Sequence, residues 1–426
     1  FSDDAVAPIY PGLEASLSDV ESLKGILLIG CNPRKEAPLL ALRIRKMVEQ
    51  GGLVGSLGSY ASDLNFSLSA LHCVTPAELP GVLLGLAKKG GASGSAGDSF
   101  EGDALSGLLS KVGDNGMILL GQSALNHPDA GTIRTLAGCL AQQTGMKLGA
   151  LTPGNSAGAW WAGAVPHRTA QGMPAKTAGA NASQIADLDL ETILLYGVEP
   201  SIDHSDPIRL QGMLDRVQTV IAFSAFRSAV PDQAGIVLPI SPYTECSGSY
   251  LNCNGIVQVS SPALSPRGNS RPGWKVLRVL GNFLSLPDFD YDDVAQVATE
   301  LGQPPEALMQ ADKVQIPVSG GVDSSSAHAD GLFSLVAERS IYQTDPIVRR
   351  SRALSLTRDG ASEAFCRLHP EDLKAAGLAG ASRVLLVGEH HQATLEITED
   401  SGVVRGSVFV FSGSVATAGF GGDSTV

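Results

Sequence analysis

Charged, aromatic and cysteine residues are all scarce in this chain. Charged residues make up 17% and aromatics 5% of the 426 positions, against a charged share of about a quarter in ordinary globular domains. The six cysteines, Cys31, Cys73, Cys139, Cys246, Cys253 and Cys366, are widely spaced and form no C-x-x-C pair. That excludes a cluster-binding run and a dense disulfide framework, and it fits a reducing compartment. No apolar run is long enough to cross a bilayer, and no basic stretch leads into an apolar one. Cations are in deficit too: 30 Lys and Arg against 43 Asp and Glu leave a net charge of −13. Such a field repels phosphate backbones and anionic lipid, so neither nucleic acid nor direct membrane insertion is expected.

Glycine, by contrast, is abundant at 49 residues, and 43% of positions are apolar, the composition of a compact, turn-rich chain. The length exceeds what one hydrophobic core usually supports and predicts several domains. The opening FSDDAVAPIYPG, without an initiator Met, reads as part of a larger protein.

From Gly25 the chain runs GILLIGCNPRKEAPLLALRIRKMVEQGGLV. An apolar strand, a Gly turn and a helix-spaced apolar series follow one another, and Gly51-Gly52 ends the helix before the next strand. ETILLYGVEPSIDHSDPIRLQGML from Glu191 repeats the pattern, with Gly197 to Pro200 matching Gly30 to Pro33, and GMILLGQSALNHPD from Gly116 is a looser copy. Alternation at these lengths predicts βαβ units in parallel sheets, with ligand sites at the strands' C-terminal edge. After about Thr357 the pattern changes to short strands, at Val384 to Val387, Ala393 to Thr398 and Val403 to Phe411, with one brief helix in HPEDLKAAGL. The predicted organisation is a first α/β lobe over 1–170 with a Gly/Ser-rich loop at 89–107, a second lobe over 171–314, a linker at 315–356, and a small β-rich domain over 357–426.

Several short motifs suggest chemistry. SGGVDS, from Ser319 to Ser324, has the form of a phosphate-cradling loop, yet Ser- and Gly-rich sequence rather than a firm helix follows it, which favours a linker. GNSAG places Ser156 in the G-x-S-x-G form of a hydrolase elbow, with His167, His204 and His369 as available bases; no oxyanion loop precedes it, so a turn is the simpler reading. Asp288, Asp290 and Asp292 imitate the start of a calcium loop, but the required Gly and the terminal Glu are missing. They read instead as an acidic entry to the helix DVAQVATELG. His390 and His391 are adjacent, so on a strand they point to opposite faces and cannot share a metal. Cys246 and Cys253 have no nearby basic partner to make either a thiolate.

Six longer segments together resemble one family. They are ILLIGCNPRKEAPLLALRIRKM (Ile26 to Met47), GNSAGAWWAGAVPHR (Gly154 to Arg168), ILLYGVEPSIDHSDP (Ile193 to Pro207), AGIVLPISPYTECSGSYLNCNGIVQ (Ala234 to Gln258), IYQTDPIVRRSRALSLT (Ile341 to Thr357) and HPEDLKAAGL (His369 to Leu378). In this order they resemble the molybdopterin-oxidoreductase superfamily, and DPIVRRSRAL resembles its branch in the large iron–sulfur subunit of NADH:quinone oxidoreductase, respiratory complex I. The resemblance implies two doubly wound α/β lobes that clasp a pterin cofactor in the true molybdoenzymes, followed by a small, mostly-β, barrel-like domain. For the complex I branch it implies a scaffold that has lost the molybdopterin, with iron–sulfur clusters confined to an N-terminal portion outside this sequence. It also implies neighbouring peripheral-arm subunits as partners, on the cytoplasmic face of a bacterial inner membrane.

No catalytic residue and no metal ligand is expected. The residues that would line the vestigial cleft are Asn32, Arg34, Gly197, Glu199, Arg209 and Glu245, while Tyr243 and Asn252 would close a loop. An active molybdopterin-dependent fragment and a serine hydrolase using Ser156 are the alternatives.

Overall fold

The computed structural model describes residues 12–90, 103–304, 332–357, 360, 365–389, 391–420 and 426. The first lobe is built on five parallel strands, β1 (Gly25–Ile29), β2 (Leu53–Gly58), β3 (Ala70–Cys73), β4 (Gly116–Leu120) and β5 (Lys147–Ala150), in the order β3-β2-β1-β4-β5. The apolar runs GILLI and GMILL are buried along their whole length because helices cover both faces of the sheet. Alternate residues therefore feed two cores: Leu27, Ile29, Ile118 and Leu120 on one side, Ile26, Leu28, Met117 and Leu119 on the other.

Helices α1 (Pro33–Glu36) and α2 (Pro38–Glu49) follow β1 as the spacing predicts, each with Pro in its first turn. Residues 91–102 of the expected Gly/Ser loop lie outside the described residues. Its ends are helical: α3 (Leu79–Gly90) runs into it and α4 (Asp103–Val112) runs out of it. Leu105, Leu108 and Leu109 carry helical spacing that overrides the local glycine content. Helices α5 (Gln122–Leu125) and α6 (Ala130–Thr144) connect β4 to β5, and α7 (Ser156–Ala162) follows β5.

The second lobe holds three parallel strands, β6 (Thr192–Tyr196), β7 (Thr219–Ser224) and β8 (Ala234–Pro239), in the order β8-β7-β6. Between β6 and β7 lie α8 (Pro200–Asp203) and α9 (Pro207–Leu214), repeating the arrangement after β1. An antiparallel hairpin, β9 (Gly248–Leu251) with β10 (Val257–Ser260), follows, and then α10 (Gly273–Phe283) and α11 (Val294–Leu301). Asp293 caps α11, accepting from the Gln296 N–H at 3.0 Å, so this part of the acidic stretch serves as a helix entry.

The third unit is a five-stranded mixed sheet of β11 (Ser334–Arg339), β12 (Phe365–Leu368), β13 (Arg383–Val387), β14 (Gln392–Glu399) and β15 (Ser407–Ser412), in the order β11-β15-β12-β14-β13. Helix α12 (Pro370–Ala375) is the expected one in HPEDLKAAGL, with the His369 side chain accepting from the Glu371 N–H. Three expectations are corrected here. The stretch read as linker contributes β11, which pairs with β15 in parallel; the rest of it up to residue 331 lies outside the described residues. The last strand begins at Ser407, because Val403 leaves the sheet to bridge Tyr60 of the first lobe. Among the described residues β11 and β13 do not pair, so the sheet is open rather than barrel-like. Closure is not needed to hide its second face. Phe409, Val336 and Val403 on that face pack against Tyr60, while Leu335, Cys366, Leu395 and Val410 form the core on the other.

The Arg367 guanidinium stacks over the rings of Tyr60, Phe409 and Phe411 and donates to the Tyr60 hydroxyl at 2.6 Å, and that hydroxyl donates to Asp400 at 2.9 Å. The Ala61 N–H donates to the Gly402 carbonyl at 2.8 Å. The third sheet is thereby fastened beside the C-terminal edge of the first.

Candidate functional site

In a sheet ordered 3-2-1-4-5, ligands collect where the winding direction reverses, between the C-terminal ends of the first and fourth strands. Here that crevice is shut by backbone. A Cβ on Gly121, just after β4, would lie 2.2 Å from Cys31 Cα and 2.5 Å from the Gly30 carbonyl oxygen, just after β1. Gly30 itself has φ +50°, and a Cβ there would lie 2.6 Å from the Ala124 nitrogen. The two turns touch, leaving no room for a group between them.

The N–H groups that such turns offer to a phosphate are taken as well. Glu36, at the end of α1, folds back so that Oε1 accepts from the Asn32 N–H at 2.6 Å and Oε2 accepts from the Gln122 N–H at 2.8 Å. One carboxylate thus joins the turn after β1 to the N-terminus of α5 after β4. Burial raises this carboxyl to about 7 even though both bonds favour its ionised form, and the nearby Glu338 carboxylate of β11 adds to the rise. Glu338 is also raised to about 7 by burial, against the pull of Arg367 and Lys35.

The second lobe repeats the device. The Glu199 N–H donates to Asp203 Oδ2 at 2.8 Å. Asn32–Glu36 and Glu199–Asp203 have the same four-residue separation after matching Gly-x-x-Pro turns, so the repeat visible in the sequence extends to an acid that satisfies its own turn. A cavity of about 170 Å³ remains at the C-terminal end of β6, lined in part by Gly197, Glu199, Asp203, Phe226, Pro242 and Tyr243.

Arginines from the segment between β11 and β12 close in on the same acids. Arg349 donates to Glu199 Oε2 at 3.2 Å and to Asp203 Oδ1 at 2.6 Å, and Arg350 donates to Glu199 Oε2 at 2.9 Å while stacking on Phe226. The Arg349 side chain is only 4% exposed.

The six cleft candidates are therefore dispersed. Gly197 and Glu199 meet at the cavity. Asn32 is buried at the edge of the first sheet, and Arg34 turns outward to Asp63 at 2.6 Å. Arg209 is engaged with Asp187, and Glu245 is buried, accepting from the Arg267 N–H at 3.1 Å to close its loop. Glu36, Asp203, Gln122, Arg349 and Arg350 were not identified from sequence. The acid three residues after the Pro of each Gly-x-x-Pro turn was the available signal for the first two.

Ser156 opens α7, and its hydroxyl donates to the Pro153 carbonyl at 2.6 Å. The His204 ring is held between the backbone of Asp206 and Ala182, and His369 caps α12. Neither histidine is turned to the Ser156 hydroxyl as its base. Cys246 and Cys253 are free thiols pushed up by burial, the opposite of an activated nucleophile. Residues 319–324 and His390 lie outside the described residues. Among the described residues, no group of three or more His, Cys, Asp and Glu side chains is placed to hold a metal.

Comparison with known proteins agrees with this architecture. The chain is 27% identical over 309 residues to the mitochondrial NADH-ubiquinone oxidoreductase 78 kDa subunit of Candida albicans, covering 72% of this chain and 37% of that protein. It is 28% identical over 279 residues to a subunit of NADH-quinone oxidoreductase from Mycobacterium tuberculosis, covering 59% and 32%. The chain thus spans about a third of the length of these curated relatives. Acetylene hydratase from Pelobacter acetylenicus shares the fold, with a TM-score of 0.58 at 12% identity over 93% of this chain and 74% of that one. The profile of the molybdopterin oxidoreductase family matches residues 10–283, more than half of the sequence, and the chain belongs to that family.

Proposed function

We propose that the chain is a structural scaffold within a complex I-type NADH:quinone oxidoreductase, in which electron transfer takes place elsewhere and the ancestral cofactor cleft is closed. The observation that carries this reading is the Glu36 carboxylate on the Asn32 and Gln122 N–H groups, across a crevice where Gly121 meets Cys31. A pterin dinucleotide brings a pyrophosphate, which needs free N–H donors or cations at the strand ends. The residues here do not fit that group. Their N–H groups are bonded to the chain's own carboxylates, Arg349 and Arg350 are paired with Glu199 and Asp203, and the cavity at the C-terminal end of β6, about 170 Å³, is smaller than the roughly 300–1,000 Å³ of ordinary ligand sites.

The partners in this reading are the neighbouring subunits of the peripheral arm, and the location is the cytoplasmic face of a bacterial inner membrane. Among the described residues no helix is long and apolar enough to cross a membrane, consistent with attachment through other subunits. The rival reading, an active molybdopterin-dependent fragment, requires the same N–H groups to be released to a phosphate.

Elemental analysis of the purified, folded chain for molybdenum, tungsten, iron and zinc, with pterin fluorescence measured on the denatured supernatant, separates the two. The scaffold reading expects neither metal nor pterin. Stoichiometric molybdenum or tungsten with released pterin would overturn it.

A further inference from the structure

Two Asn-Gly pairs occur in the sequence, Asn115-Gly116 and Asn254-Gly255. Asparagine is a chemically labile residue, and glycine after it has no side chain to keep the carboxamide from the following backbone nitrogen. In deamidation that nitrogen loses its proton and attacks the Asn Cγ. A C–N bond forms, the side-chain nitrogen leaves with the proton as ammonia, and water opens the resulting succinimide to aspartate or isoaspartate.

The surroundings of the two pairs differ. The Asn115 carboxamide donates to the Ser22 carbonyl at 3.3 Å, and the Asn115 carbonyl accepts from the Lys24 N–H at 2.9 Å. Gly116 is buried as the first residue of β4, opposite Gly25 of β1. Ring closure there requires part of the first sheet to open. Asn254 instead lies at the tip of the β9–β10 hairpin. The Asn252 N–H donates to the Ile256 carbonyl at 3.0 Å and closes a three-residue loop, within which the Gly255 N–H donates to the Asn252 carbonyl at 2.9 Å. Gly255 has φ +75°, the left-handed glycine that completes such a loop. The bond on the attacking nitrogen is thus internal to the turn and breaks without disturbing a strand. The Asn254 carboxamide oxygen accepts from the Cys253 thiol at 3.8 Å, a weak donor, and both residues of the pair are half-buried rather than enclosed.

The same tip joins the two lobes. The Cys253 carbonyl accepts from the Leu13 N–H at 2.7 Å, and residues 12–14 run along β5, with Leu13 bridging Gly149. Before the loop, Asn155 of the first lobe donates to the Ser249 carbonyl and accepts from the Leu251 N–H, each at 2.9 Å.

We propose that Asn254 is a site of spontaneous deamidation, and that its conversion loosens the contact between the hairpin tip and the strand at Leu13. Isoaspartate adds a carbon to the main chain inside a three-residue loop, and either product sets a carboxylate beside the carbonyl that Leu13 bonds. The Asn155 contacts lie outside the loop and persist, so the change is confined to the tip. The inference stands on the hairpin and the first sheet and does not depend on the scaffold reading.

The test ages the purified whole chain in buffers from neutral to mildly alkaline pH. Digestion and mass spectrometry locate the exchange of NH2 for OH, and an isoaspartyl methyltransferase measures isoaspartate. In the folded chain Asn254 is expected to convert about tenfold or more faster than Asn115, which waits on opening of the sheet. Its rate should rise with pH, because the attacking nitrogen must lose a proton, and in urea-unfolded chain the two pairs should convert alike. Residues 12–14 should exchange hydrogen faster in aged than in fresh chain, and the rise should be lost in Asn254→Gln aged equally. Conversion of Asn115 as fast as Asn254 in the folded chain would overturn the inference. So would an Asn254 that stays intact in the folded chain while the unfolded chain reacts. Exchange at residues 12–14 that does not change once Asn254 has converted, or that rises equally in aged Asn254→Gln, would overturn the loosening.

Discussion

At the scale of single residues, Glu36 carries the most consequence. It holds two turn N–H groups at once, and it does so with a carboxyl that burial has raised to about 7. Unfolded, Glu36 and Glu338 ionise near the ordinary 4.5; folded, each ionises near 7. Between those values the native state holds protons that the unfolded state has released, so these two groups lower stability as the pH rises from about 4.5 to about 7, and their effect levels off above that. Glu36→Gln should remove about half of that pH-dependent loss. Urea midpoints of wild type and variant at a series of pH values check this, and parallel curves would exclude Glu36 as the source. This role could not be read from the sequence because an acid within the first turn of a helix, as Glu36 is in the four-residue α1, already has an ordinary explanation in the helix dipole. Gln122, which completes the arrangement, lies 86 positions away.

Among the elements, those with strong periodicity were legible: β1, α2, β4 and β6 fall where apolar spacing put them, and so does the turn glycine Gly197. Less legible were the ends of α3 and α4, where glycine and serine masked helical leucines, and β11, whose buried pairing with β15 depends on residues far along the chain. The open third sheet was illegible for a related reason. Its second face is covered by Tyr60, a residue that no local pattern links to it. The contact between the turns after β1 and β4 gives a test at this scale. The side chain in Gly121→Ala would meet backbone atoms of Cys31 and Gly30, which cannot rotate away as a flexible side chain would. A loss of about 2–3 kcal/mol is expected from such overpacking, measured by chemical denaturation. A neutral effect would show that the two turns can separate and that the crevice is not fixed shut.

At the scale of the molecule, the segment from β11 to β15 ties the two lobes together. Tyr60 anchors it to the first lobe through Arg367 and Asp400, and Glu199 and Asp203 anchor it to the second through Arg349 and Arg350. DPIVRR, part of the segment that resembles the complex I branch, thus turns out to be a clamp, which spacing alone could not reveal because its acidic partners lie about 150 positions earlier. Arg349→Ala should cost about 1–3 kcal/mol, since it leaves the half-buried Asp203 without its counter-charge while Arg350 still holds Glu199. Arg349→Lys should recover only part of that, because one ammonium cannot span both acids as a guanidinium does. Thermal unfolding of the pair of variants measures both, and an Arg349→Ala variant as stable as the wild type would mean that the clamp holds nothing.

Tyr60 and Asp400 are separated by 340 positions. At the roughly 5–20 residues per second of protein synthesis, about 17–70 s pass between the emergence of the first and that of the second. For most of that interval, once β5 has emerged, the first sheet is complete in sequence while the ring of Tyr60 and the adjoining strand ends still lack their cover. The first lobe must therefore wait, exposed, for the last strands of the chain. The nascent protein is most open to chaperones, and to aggregation, at the edge that is best sealed once synthesis is finished.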